Sequence, residues 1–227
     1  MDNLFIVVAV SLLVLGAIAY AWFDKRRKDA LKAYATKRGY SYVAEDRELA
    51  DRFHTRPFGD GTRRRAYDVV FGERDGLRFT TYRYVFETPR TTHDGQHTTD
   101  THTWQATWIE LPSALPSLAF SPDNAFLRAL GGLGLRDVDV ESHDFNQRWR
   151  VVAADTAFAH AVLAPTVIGG MLAPVLEDRI VFVEGDALVA VDKGRSDLSD
   201  LDEVLDALSA VRDAVPSFVF TDYATGR

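Results

Sequence analysis

The sequence predicts an α+β protein, in which an N-terminal transmembrane helix precedes one domain of antiparallel β-hairpins with packed helices. Three observations carry that expectation. Leu4 to Phe23 is a run of twenty residues without a charge, followed almost at once by Lys25-Arg26-Arg27-Lys28. Two segments rich in Val, Phe, Tyr and Thr, Ala66–Phe71 and Leu77–Glu87, flank Asp75-Gly76, a pair that favours a tight hairpin turn. Near the C-terminus, Leu201, Val204, Leu205, Leu208 and Val211 recur at helical spacing and give one helix face to a core.

A helix rises about 1.5 Å per residue, so twenty residues reach across the roughly 30 Å of bilayer hydrocarbon. Twelve of the twenty are Leu, Ile, Val or Phe. Together they favour insertion by roughly 4–7 kcal/mol. Tyr20, Trp22 and Phe23 gather at one end, where aromatic rings prefer the headgroup layer. A cleaved signal peptide would need a basic segment ahead of the apolar run, and only Met1-Asp2-Asn3 stands there. Seven basic residues against two acidic ones follow between Asp24 and Arg38. Positive flanks stay cytoplasmic, so the expectation is a single-pass protein of the cell membrane, its N-terminus outside and its C-terminal domain inside. Residues 1–23 are the anchor, 24–38 a basic juxtamembrane helical stem, 39–216 the α+β domain and 217–227 a tail. The spacing Ala17-x-x-x-Ala21 would let two such helices pack closely in lipid, though an alanine-rich segment produces it by chance.

The chain contains no cysteine, which excludes disulfides, thiolate metal sites and a cysteine nucleophile. Residues 30–227 hold 22 basic and 30 acidic side chains, a balance of −8. Nucleic-acid binding is dominated by neutralising phosphates, so such a domain is not expected to bind it.

Along the domain, Gly39 should stop the stem helix, and Tyr40–Ala44 reads as a short strand. Asp46 is placed to cap a short helix ending at Phe53, and Pro57–Thr62 is a turn-rich break. Thr101–Leu111 is the expected third strand of the sheet, which Pro112 and Pro116 should end. A short helix fits Asn124–Leu130. In the second half, Phe145–Ala153 is strand-like and Asp155 caps a helix, with a further short helix between Pro165 and Pro174. Arg179–Val183 and Ala187–Asp192 read as a hairpin over Glu184-Gly185-Asp186, and Ser199 is placed to cap the last helix, through Ala214. Tyr42-Val-Ala-Glu-Asp46 and Val151-Val-Ala-Ala-Asp155 both run a strand into an Asp cap. This is consistent with a pseudo-repeat covering 40–111 and 145–214. The apolar stretch Val151–Leu176 is read as core helices, because Asp155, His160 and two prolines make it a poor span.

The richest cluster of metal-type side chains is His93, Asp94, His97, Asp100 and His102. Gly95 and the threonines around it mark the solvated tip of a long hairpin, and the spacing does not converge the imidazoles on one point. Glu141, Ser142, His143 and Asp144 lie close in sequence, without the glycines of a nucleophile elbow. On a strand, Asn146, Arg148 and Arg150 would share a face able to hold an anion, although such faces are more often internally paired. Arg63-Arg64-Arg65 is a basic triplet that could touch lipid headgroups. Gly131-Gly-Leu-Gly134 lacks the strand before it and the Lys-Ser/Thr after it that a phosphate loop needs. No catalytic, cofactor-binding or metal-binding residue is assigned, and no cofactor is expected.

The pattern resembles an uncharacterised family of bacterial single-span membrane proteins with a cytoplasmic α+β domain. The resemblance rests on Gly39-Tyr40, Pro57-Phe58-Gly59, Val69-Val70-Phe71-Gly72, Gly76 with Phe79, and Tyr82-x-Tyr84. It continues through Leu111-Pro112-x-x-Leu115-Pro116, Glu141-Ser142-x-x-Phe145-Asn146 and Leu163-x-Pro165. It implies architecture and leaves activity open. The expected function is a non-enzymatic binding or adaptor module at the inner membrane face, touching the bilayer through residues 4–23 and holding a protein partner. Two alternatives stand beside it: a lipid or small-ligand module using Asn146, Arg148 and Arg150, and an unrecognised hydrolase.

Overall fold

The computed structural model describes residues 2–226 apart from 93, 123–134, 139, 141 and 195–197, and residues 2–13 by their backbone alone. The helix expected at Asn124–Leu130 and the glycines at 131–134 lie outside the described residues. The chain is α+β, as its sequence predicts. An N-terminal helix α1 (Asp2–Lys37) leads into strands β1 (Ser41–Asp46), β2 (Thr62–Arg74), β3 (Leu77–Thr91) and β4 (His97–Ser121). There follow β5 (Arg136–Asp137), helix α2 (His143–Arg148), β6 (Arg150–Ala153), and helices α3 (Thr156–Val162) and α4 (Pro165–Met171). The chain ends with β7 (Ile180–Lys193), α5 (Leu201–Ala214) and α6 (Val219–Asp222).

The described strands form one antiparallel sheet in the order β1-β2-β3-β4-β6-β5, with β7 along the other side of β4. Turn chemistry is local, and the β2–β3 turn forms where Asp75-Gly76 predicts it. Both residues take positive φ, 53° and 78°, as a two-residue turn matching strand twist requires. Asp155 caps α3 as expected, accepting from Ala157 N at 2.8 Å and Phe158 N at 3.2 Å.

Several expectations are corrected. Pro112 and Pro116 do not end the sheet. β4 passes through them, and its pairing with β7 shifts register between Glu110 and Leu115 and again before Leu118, where ladder donors are not required. Residues 184–186 are not a hairpin turn. β7 is one strand bent at Gly185 (φ 59°), and both its halves pair with β4. Phe145–Ala153 is not one strand, because Ser142 accepts Phe145 N at 3.4 Å and starts α2, leaving Arg150–Ala153 extended. Asp46 receives Glu48 N at 2.9 Å, but only a 3-10 turn, Leu49–Asp51, follows it. Helix α5 starts at Leu201, with Asp200 rather than Ser199 at its N-cap position.

α1 is continuous through the stem, but among the described residues no helix is long and apolar enough to cross a membrane. Tyr20, Trp22 and Phe23 are exposed.

The sheet buries both faces. On one, Phe79, Ile109, Leu118, Val181 and Leu188 pack with Ala35 of α1, Phe158 of α3, Val167 and Met171 of α4, and Leu205, Leu208 and Val211 of α5. On the other, Tyr82, Tyr84, Ala106, Phe182 and Val189 are covered by Ala50, Phe53 and Phe58. The Phe182 ring lies 5.7 Å from Phe53 and 6.0 Å from Phe58. Glu184 ties this covering loop to β7 by accepting His54 N and Thr55 N, both at 2.9 Å.

Candidate functional site

The most concentrated group of charges lies where α1 meets the sheet. Asp68 interrupts the apolar run of β2 at a register shift between Tyr67 and Val70, and its φ of 56° is left-handed. Aspartate tolerates that region better than most residues. The kinked backbone aims the carboxylate under α1, where its side chain is only 4% exposed. Arg83 Nε of β3 reaches Asp68 Oδ2 at 3.1 Å, the Tyr42 hydroxyl of β1 donates to Oδ1 at 3.2 Å, and Arg27 of α1 pairs with the same carboxylate. Arg27 also holds Asp24 at 2.8 Å, and Lys28 reaches Asp24 at 2.7 Å. Hydrogen bonds from Lys28 and then Arg27 hold the Asp24 carboxyl below its usual range. Burial first, and then the Asp68 charge, push the Tyr42 phenol up to about 12.

One helical segment later a second clamp forms. Arg38, just past α1, pairs with Asp202 of α5, and Arg74 at the end of β2 donates to Asp202 O at 2.9 Å and to Asp206 at 2.6 Å. Arg27 to Arg38 spans about 17 Å of helix, and Asp68 to Arg74 about 20 Å of strand. The Arg27–Arg38 stretch therefore runs alongside β2 in the same direction, held at both ends. Every charge at the Asp68 junction has an opposite partner, which fits a mechanical joint between helix and sheet rather than a reactive centre.

The phenols set a pH limit. Burial also pushes Tyr84 up to about 12 and raises the Tyr82 phenol as well. A phenol whose folded pKa is raised contributes stability that is complete below its unfolded value near 10, lost as pH rises toward 12. Thermal unfolding should therefore fall steeply across that window, and Tyr42→Phe should remove part of the loss. A melting temperature flat between pH 10 and pH 12 would contradict this.

The residues singled out from sequence are dispersed. His102 stacks on Phe86 at 4.8 Å and bonds Thr88 at 2.8 Å, while His97 meets Thr91 at 3.4 Å; His93 lies outside the described residues. Among the described residues no group of three His, Cys, Asp or Glu could hold a metal. Zinc added at micromolar concentration is expected to release no protons from the full chain; stoichiometric release would show that the imidazoles converge. The anion-binding face does not form. Asn146 spends its amide on Val140 O, Arg150 donates to Asn146 O at 2.9 Å, and Arg148 lies 4.0 Å from Glu177. Ser142 is a helix cap, and His143 meets Gln147 at 2.8 Å; Glu141 is outside the described residues. Arg63, Arg64 and Arg65 pair with Glu87, Asp51 and Glu45 at 3.0, 3.0 and 3.2 Å.

Sequence reading missed Asp68 and its three partners. It also missed Arg179, 7% exposed, which bridges Asp192 at 3.2 Å and Asp200 at 2.5 Å. A lone aspartate inside Tyr67-Asp-Val-Val-Phe71 was the one available signal for the first. A third group stands on the face opposite the helices. Trp104 and Trp108 flank Ala106 on β4, and their indole N–H groups are buried without an acceptor among the described residues. Arg52 lies 4.6 Å over the Trp108 ring, and Lys193 6.0 Å over that of Trp104.

No protein-family model matches this chain, and no curated protein matches it. Among solved structures, the mycobacterial trehalose monomycolate transport factor A, TtfA, has a similar fold. The TM-score is 0.57 at 14% identity, over 88% of this chain and 98% of that one. At that identity the likeness is one of fold.

Proposed function

We propose that the protein is a non-enzymatic binding module apposed to the inner face of the cell membrane, with Leu4–Phe23 as its anchor. The observation that carries this reading is the clamped course of α1. Arg27 on Asp68 fixes the helix to the sheet and Arg38 on Asp202 fixes it to α5, so whatever holds its N-terminal turns also orients the domain. The uncharged run ahead of Asp24 and the cationic stem after it support a bilayer as that holder. The likeness of fold to a trehalose monomycolate transport factor supports a lipid-related version of the role, in which the module binds or hands on partners of lipid traffic. Protease added outside intact spheroplasts tests the arrangement. The domain should survive until the membrane is opened, and cleavage in intact spheroplasts would overturn it.

A second reading, direct lipid binding, is favoured by the two indole donors without acceptors on β4. Phospholipid added to the full chain in detergent should shift Trp104 and Trp108 fluorescence to the blue. Unchanged emission, with Trp22 and Trp149 replaced by phenylalanine, would count against it.

A further inference from the structure

The sheet has two borders along its long strands, and they differ. At β7 the border is closed: Val181, Phe182, Ala187, Val189 and Val191 are all 0% exposed. At β1 it is open. Ser41, Val43, Ala44 and Glu45 are exposed, and among the described residues no backbone hydrogen bond reaches the outer side of the strand. Val43 and Phe71, each 40% exposed, are diagonal neighbours on the face away from α1. Natural edge strands are usually blunted by proline, lysine or a cover. β1 contains no proline or lysine, and its acidic residues stand only at its end, Glu45 and Asp46. The β3–β4 ribbon shows the contrast, since its β3 edge carries Pro89 and its exposed face is threonine and charge.

We infer that β1 receives an extended strand from another protein, which continues the sheet through backbone hydrogen bonds and seats apolar side chains on Val43 and Phe71. An unpaired row of N–H and C=O groups specifies an extended backbone as its complement. The exposed Val43–Phe71 pair specifies β-branched or aromatic residues at alternate positions of the incoming strand. A second copy of this chain does not fit. Closed self-pairing of β1 would be antiparallel, about a two-fold axis perpendicular to the sheet. That operation reverses every direction within the sheet plane. α1 runs along β2 in that plane, so two copies would send their N-terminal helices opposite ways. This exclusion rests on the membrane-anchored reading above; the open edge does not.

The probe is a blocked hexapeptide alternating valine and threonine, added to the full chain in detergent and followed by amide hydrogen exchange. Exchange should slow at Ser41–Asp46 and leave the 91–97 turn unchanged. Methylating alternate peptide nitrogens should weaken binding about a hundredfold, through the loss of backbone hydrogen bonds. Val43→Lys, at an exposed site that leaves the fold intact, should weaken it as well. No slowing in β1, or equal binding of the methylated peptide, overturns the inference whichever way the domain faces. A photo-crosslinker at Val43 in cells should join the chain to a different protein, and a crosslink between two copies overturns the choice of partner. Protease accessibility in spheroplasts fails separately and bears only on the anchor.

Discussion

Asp68→Ala is expected to lower unfolding free energy by about 3–4 kcal/mol, the range for removing one partner of a buried ion pair. The carboxylate is 4% exposed and is shared by Arg27, Arg83 and Tyr42, whose donors would lose their acceptor together. Arg27 and Arg83 are 29% and 21% exposed, so water recovers part of the cost, which keeps the figure at the low end. Alanine would also sit at a φ of 56°, a left-handed geometry that costs a residue with a Cβ roughly 1 kcal/mol. Asp68→Gly relieves the backbone and keeps the electrostatic loss, so the difference between the two variants isolates the backbone contribution. Asp68→Asn keeps an acceptor for Tyr42 and should lose about half as much as alanine. Urea denaturation of the full chain measures all three. Hydrogen exchange should show residues 24–37 opening first in the alanine variant. A loss under about 1 kcal/mol would mean that the network is surface decoration.

Phe182→Ala should cost a similar amount, about 3–5 kcal/mol, by a different route. Its ring is fully buried, lies against Phe53 and Phe58, and stands two residues before the Glu184 that ties the covering loop. Truncation opens a cavity between sheet and loop, and the bend of β7 prevents the strand from collapsing into it. Phe182→Leu, which keeps most of the volume, should cost less than about 1.5 kcal/mol. Exchange across residues 49–58 should quicken in the alanine variant while α5, on the opposite face, stays protected. Equal loosening of both faces would show that the two cores are one cooperative unit.

These two residues mark where sequence reading succeeds and where it stops. Asp75-Gly76, the Asp155 cap and the apolar face of α5 were legible because each is decided by neighbours within a few positions. β4 was not, because Pro112 and Pro116 end a strand only if the ladder needs their donors. Register shifts against β7, some seventy residues away, remove that need. β7 likewise reads as a hairpin around Gly185 until β4 is present to hold both halves. Asp68 looks like a misplaced charge in a strand until Arg27, 41 residues earlier, is laid over it. The supposed face of Asn146, Arg148 and Arg150 failed for the converse reason: a local cap at Ser142 outweighed strand propensity and put Asn146 and Arg148 on a helix, leaving Arg150 alone on the strand. Nearly all the candidate site is long-range, and long-range partners are what one sequence conceals.

From Ala17 to Lys37 the first helix contains neither glycine nor proline, and its far end is bolted to the sheet by Arg27 and to α5 by the Arg38 just beyond it. That stretch therefore has no hinge. A swing imposed on its turns beyond Gly16 is delivered undiminished to the open border of β1, so a strand seated there would be steered by the tilt of a lever.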